Sequence, residues 1–361
     1  MSTSHTQLWQ KLKEANLVHG EMPRFEQDGS PWYIKFLLGM AGWWAAAFGL
    51  SFVMLAFTVF MKNPIAVFIL GNLLIGGAFF ILRQSEQTFL EQLGFAISLT
   101  GQFLVMLVVF HALGSDTPKF NVAVNWALAG LFQAVLALII PNFVHRVFCT
   151  WNAAILFSVA LLLFELPYIF SSVVMLLMVW CWLHEYAYAK HIEKIRAIAY
   201  GLTFALVSIE GFVPFISGGA SSGWKTPVNI EYITQPWMGE LLLGCVALYM
   251  VWLLFRQYKQ PIRQPVVMLS LFATLLVVAA SFEATGLTVG MVIVLLGFVG
   301  SNRVLMGIGI VSLLFYISTY YYLLETTLLD KSLTLLAVGV LLLGLRWLML
   351  HFISQGEVNA R

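Results

Sequence analysis

The sequence predicts an all-α fold, a polytopic transmembrane helix bundle with about 12 crossings and both termini in the cytoplasm. Three observations point there. Hydrophobic residues make up 60% of the 361 positions and charged residues 10%. A soluble domain is nearer a quarter charged, and no water-soluble core holds this much apolar surface. The apolar residues fall into runs of roughly 20, which at 1.5 Å per residue match a hydrocarbon core ~30 Å thick. Finally, Lys and Arg gather in alternate connectors, as the positive-inside rule requires.

The chain opens with a polar stretch, residues 1–33, that lacks the apolar core of a signal peptide. The first crossing is therefore expected to direct insertion itself. Ser4-His5-Thr6-Gln7 has the form of a capping box. Leu8, Leu12 and Ala15 follow at helical spacing, and Gly20 supplies a stop. Residues 5–18 thus read as a short amphipathic helix, lying on the cytoplasmic membrane surface or docked on cytoplasmic loops. Residues 20–33 read as a linker.

Residues 34–352 form the transmembrane domain and 353–361 a cytoplasmic tail. The crossings are expected at 34–60, 64–82, 88–112, 122–140, 147–165, 167–183, 197–217, 237–255, 265–282, 284–302, 304–324 and 333–352. Two joints are ambiguous. Glu165-Leu166-Pro167 and Ser281-Phe282-Glu283 are each readable as a tight hairpin or as the middle of a broken helix. Charge decides for hairpins. Twelve crossings leave only Lys62, Lys119, Lys225 and Lys331 outside among 19 Lys and Arg. Removing the hairpin at Glu165 would send Lys190, Lys194 and Arg196 outside as well. Arg346, near the inner end of the last run, reaches the headgroups by snorkelling.

Small residues recur at contact spacing, as Gly39, Gly42, Ala46 and Gly49 in the first crossing and Gly94, Ser98 and Gly101 in the third. Such faces let helices pack closely. The last two crossings flank a short polar turn, ETTLLDKS, preceded by Tyr316, Tyr320, Tyr321 and Tyr322, which suit a membrane–water interface. Cys149, Cys181 and Cys245 match no metal or redox spacing and read as small buried hydrophobes.

Several stretches taken together, LWQKLKEANLV, PWYIKFLLGMAGWWAA, LGFAISLTGQ, PNFVHRVF, VWCWLHEY with AYGLTFAL, and the hairpin from YYYLLETTLLDKSLTLL to LGLRW, resemble a bacterial membrane-protein family known as domain of unknown function 4401. The resemblance runs along nearly the whole chain. It implies a multi-pass protein of the bacterial inner membrane and a complex with a partner bearing a GDYxxLxY motif. It implies no reaction, substrate, cofactor or catalytic residue.

Polar groups at bilayer depth are costly and therefore informative. Glu210 lies well inside its crossing, next to Gly211. Pro214 has no N–H to bond the Glu210 carbonyl, and a kinked helix bearing a carboxylate is a common way to build a transporter site. The competing reading is a carboxyl bonded to a neighbouring helix. Glu91, Ser98 and Gln102 form a polar seam on the third crossing, with Glu91 expected to pair with Arg83. Glu165, Glu210, Glu240, Glu283 and Glu325 each stand near the outer end of a helix. They form either an anionic vestibule or a set of separate solvated turns. His184, Glu185 and His191 lack the spacing of a metalloprotease helix and read as a solvated loop.

No nucleotide-binding loop, nucleophile elbow or metal motif appears, and a net charge of +2 argues against nucleic acid. No cofactor or metal is expected. The first functional expectation is a non-enzymatic inner-membrane subunit that binds a membrane or periplasmic partner. The second is a secondary transporter of a small solute with Glu210 near the coupling site. The third is a membrane-embedded enzyme acting on a lipid-linked substrate with two outer carboxylates.

Overall fold

The computed structural model describes residues 63–84, 88–111, 119–219, 237–257, 264–282 and 284–323 throughout, and isolated positions elsewhere. The segment 5–18, the first and last crossings, the loop 218–236 and the tail lie largely or wholly outside the described residues. So do Glu283 and Glu325.

Among the described residues there are ten α-helices. They are α1 (Pro64–Gln84), α2 (Thr88–His111), α3 (Lys119–Ile139), α4 (Phe143–Leu163), α5 (Pro167–Leu183), α6 (Ile192–Gly219), α7 (Trp237–Gln257), α8 (Pro265–Ser281), α9 (Leu287–Val299) and α10 (Arg303–Leu323). A 3-10 segment, Glu185–His191, joins α5 to α6. Each helix coincides with one expected crossing. The shifts at helix starts have local causes. At α4, Asn142 caps the helix by accepting from the His145 N–H, which draws His145 and Arg146 out of the connector and into the first turn.

Both ambiguous joints are reversals. At the end of α4, Leu166 N–H bonds to the Leu161 carbonyl and Glu165 N–H to that of Leu162, a Schellman motif. Its left-handed position is taken by Glu165 at φ 62°, and Pro167 starts α5 at a position needing no N–H. The turn from α9 to α10 repeats the motif, with Ser301 at φ 50°. Asn302 closes that turn and then caps α10 through its Oδ1. Between α8 and α9 the chain turns over 282–286, ending on Gly286 at φ 89°.

Close approaches give the helix directions. A Cβ on Gly101 would stand 2.5 Å from the Gly71 carbonyl oxygen, and one on Gly94 would meet Leu82, so α1 and α2 are antiparallel. The pairs Gly297 with Met306 and Gly290 with Leu313 do the same for α9 and α10. Gly244 against Val278 and Glu240 against Ser281 set α7 antiparallel to α8. Odd-numbered helices run one way and even-numbered helices the other. Arg83, Arg146, Arg196, Arg256, Lys259 and Arg303 consequently share one end of the bundle, whereas Glu165, Glu210 and Glu240 share the opposite end. Gly94 and Gly101 serve packing, as their spacing predicts. Of the stripe in the first crossing only Gly49 is described, and open space surrounds it.

The core joins α5, α6, α7, α9 and α10 through Met175, Met178, Leu206, Leu243, Ile293 and Leu305. Outward faces are apolar too, with Phe68, Leu73, Leu138, Met268, Val311 and Leu314 all exposed. Among the described residues, seven helices are long and apolar enough to cross a bilayer. Apolar side chains facing both ways need a hydrocarbon solvent, and continuous helices keep the backbone bonded within it. This is a membrane protein built of helices. Lipid is as apolar as leucine, so dispersion between close-packed small residues, not expulsion from water, holds such helices together.

Candidate functional site

At the acidic end of the bundle two carboxylates from different helices are buried in the interior, within electrostatic range of each other. Glu240, on the first turn of α7, is 2% exposed, and Glu210 on α6 is 5% exposed. Both Glu240 oxygens are held. Ser281 Oγ donates to Oε2 at 2.6 Å and Gly286 N–H to Oε1 at 3.3 Å. Thr288 N–H donates in turn to Ser281 Oγ at 3.3 Å. The carboxylate therefore caps the start of α9, where unpaired amides and the helix dipole favour an anion. The Glu210 carboxylate has the Ser171 hydroxyl of α5 as a neighbour.

Tyr316 of α10 closes the site and is 2% exposed. Its hydroxyl donates to the Val207 carbonyl of α6 at 3.2 Å. It lies within electrostatic range of both carboxylates, which are also within range of each other. Gly286 is required here twice over. Its φ is 89°, and a Cβ would stand 2.8 Å from the Tyr316 ring. The Thr288 hydroxyl oxygen, in a residue 1% exposed, has no hydrogen-bond partner among the described residues. None of the described partners of either carboxylate is cationic.

The other sequence-predicted residues fare differently. α6 continues through Pro214 to Gly219, so the proline does not end the helix. Gly211 is small because Phe315 lies 3.0 Å from where its Cβ would be, a packing role. Glu165 is exposed on its turn, held there by the Schellman geometry, and does not join the pair. Of the two expectations for the outer carboxylates, Glu240 does not follow the solvated turn: it is buried.

Glu91 does not pair with Arg83. The Arg83 guanidinium lies 6.0 Å over the Phe79 ring one turn back on α1. Among the described residues the one ion pair joins Arg196 to Glu185, and Glu185 is buried with an oxygen 2.6 Å from Arg196 Nε. The connector between α5 and α6 is thus pinned to α6, where a solvated loop was expected. Cys149 and Cys181 are buried as expected, but Cys245 is exposed on α7.

Ser98 and Gln102 belong to a second buried cluster, which the sequence did not reveal. His145 of α4 is fully buried, with Nε2 2.8 Å from Ser98 Oγ and 3.0 Å from Gln102 Nε2. Gln102 Nε2 also donates to Ser98 Oγ at 3.0 Å, and Cys149 Sγ lies 3.4 Å from His145 Nδ1. A ring protonated on Nδ1 satisfies this set, with Nε2 left as acceptor. Beside it, Arg146 donates to the Ala137 and Ile140 carbonyls at 2.8 and 3.0 Å, capping the end of α3 with a cation. These are helix-joining contacts. Asn142 before His145 was the available signal for the cap. The 47 residues between Ser98 and His145 hid the contact.

Among the described residues no three His, Cys, Asp or Glu are grouped to hold a metal ion. No curated protein and no solved structure matches the chain. One family model does, over residues 31–352. That match spans most of the sequence, and the chain belongs to the family described as Domain of unknown function (DUF4401).

Proposed function

We propose that this protein is a proton-coupled secondary transporter of a small solute, with Glu210 and Glu240 as the coupling pair. The observation that carries the reading is two buried carboxylates, on two helices, within electrostatic range of each other in an apolar bundle. Two carboxylates there with only hydroxyl and amide partners call for compensating positive charge. A proton supplies it and can be taken up or released as the helices move. Tyr316, Ser171 and Ser281 come from three further helices, so a shift of any one alters the pair's surroundings.

Charge distribution supports placing the basic end of the bundle in the cytoplasm, the pair toward the outer face, and both termini inside after twelve crossings. The bacterial inner membrane is the compartment this threading and the family resemblance fit. A periplasm-specific reporter that is active on either terminus would refute the threading.

The test of coupling uses proteoliposomes containing a pH-sensitive dye and a panel of amino acids, sugars and nucleosides. At least one solute should drive proton movement with the wild type and not with E210Q or E240Q. No solute-driven signal across the panel, or full activity in both variants, would refute the reading.

A second reading is a subunit that binds a membrane or periplasmic partner. Among the described residues, nothing lies within 4 Å of where a Cβ on Gly76 or Gly77 of α1 would stand, and Leu73 and Phe80 beside them are exposed. A face with two glycines suits close approach by another helix. A detergent pull-down from native membranes that recovers no stoichiometric partner would remove this reading.

A further inference from the structure

We propose that the cleft between α7 and α8 is a binding site for one anionic phospholipid, with an acyl chain between the helices and the phosphate on Arg256. The cleft arises from how the two helices meet. At the acidic end they are pinned, by Ser281 on Glu240 and by Val278 against Gly244, where a Cβ would stand 2.5 Å away. Over the following turns they part, leaving a cleft of about 500 Å³. Its walls are Leu248, Tyr249 and Trp252 from α7 and Leu271, Phe272 and Leu275 from α8. Tyr249, Phe272 and Leu275 are exposed, so the cleft opens sideways onto the bilayer.

Charge complementarity identifies the occupant. The cleft wall is hydrocarbon or aromatic throughout, which suits an acyl chain and gives a peptide no hydrogen bonds. Its mouth on the basic side carries a fixed cation: the Arg256 guanidinium lies 5.3 Å from the centre of the Trp252 ring, one turn beyond the cleft. This cation–π contact keeps the guanidinium near the indole, and its N–H groups are suited to donate to phosphate oxygens. Lys259 is exposed in the turn that follows, its N–H bonded to the Arg256 carbonyl. An apolar slot ending in the Arg256 cation matches a lipid whose tail and headgroup differ in the same way, and a net negative headgroup is preferred over a zwitterionic one. This site is separate from the carboxylate pair and independent of transport.

The experiment reads Trp252. Purified protein is reconstituted with brominated phosphatidylglycerol or brominated phosphatidylcholine at varied mole fraction. The Trp252 signal is taken as the difference between wild type and W252F. Half-maximal quenching should need about fivefold less of the anionic lipid, the preference one cation near the surface provides. R256Q should remove that preference. L275W, which fills the cleft and leaves Arg256 in place, should reduce quenching by both lipids. Monodisperse elution establishes that each variant is folded. Equal quenching by the two lipids means ordinary boundary lipid and overturns the proposal, as does an unchanged preference in R256Q. Trp252 unquenched by either lipid means another protein chain fills the cleft, which also overturns it.

Discussion

Two buried polar clusters sit in this bundle, and they are built on different terms. The one between α2 and α4 is neutral and closed. Ser98, Gln102, His145 and Cys149 bond to one another, donor facing acceptor, and no unpaired charge is present. The one shared by α5 to α10 has two carboxylates, no cationic partner among the described groups, and a buried hydroxyl oxygen without a bond. A satisfied network locks helices together; an over-charged one is costly and persists where something must bind. The difference separates structural polarity from functional polarity in one fold.

The largest effect should come from taking one charge out of the acidic cluster while keeping its shape. E240Q keeps an acceptor for the Gly286 amide and stays within reach of Ser281. It should elute and melt like wild type, yet lose proton-coupled flux by about tenfold or more, equivalent to ~1.4 kcal/mol or more of barrier. If E240Q loses stability and retains flux, the acidic cluster is structural after all and the contrast collapses.

Next in size is G286A. It forces a side chain into φ 89° and onto the Tyr316 ring. About 1–3 kcal/mol of stability should be lost, together with coupling, because the Gly286 amide leaves Glu240. A thermal-shift scan in detergent reads the first and the dye assay the second. H145A makes the matching test in the neutral cluster. Ser98 and Gln102 lose their shared acceptor, at a cost of about 1–2 kcal/mol. Flux per folded molecule should be unchanged. A specific loss of flux in H145A would make His145 part of the proton path and merge the two clusters.

How much of this could be read from the chain differs between the clusters for a physical reason. Helix positions were legible because the bilayer sets the length of apolar runs, and the doubtful joint at Glu165 turned on the placement of Lys190, Lys194 and Arg196. Glu210 was legible because a carboxylate inside an apolar run is conspicuous. Glu240 stayed open between a vestibule and a solvated turn because it is only the fourth residue of α7; its burial depends on Ser281 and Gly286, more than 40 residues away. His145 escaped notice beside Arg146, since a basic pair after a proline reads as a connector until the Asn142 cap winds it into α4. Tertiary partners, not local pattern, decide whether a polar residue at a helix end is wet or buried.

The smallest predicted effect is also the sharpest. Thr288 stands on the first turn of α9, its amide bonded into the acidic cluster and its hydroxyl oxygen unpaired. T288V is nearly isosteric and removes only that oxygen. A buried hydroxyl without a partner is destabilising, so the valine should leave stability unchanged or raise it by up to about 1 kcal/mol. A proton needs one carboxylate and no further ligand, so proton-coupled flux should hold within about twofold, well under the ~1.4 kcal/mol of a tenfold change. A small metal cation needs a shell of several oxygens, and the Thr288 oxygen is the one buried beside the pair with nothing bound to it. A tenfold loss of flux in T288V, rescued by raising sodium and not by lowering pH, would replace the proton with a metal cation as the coupling ion.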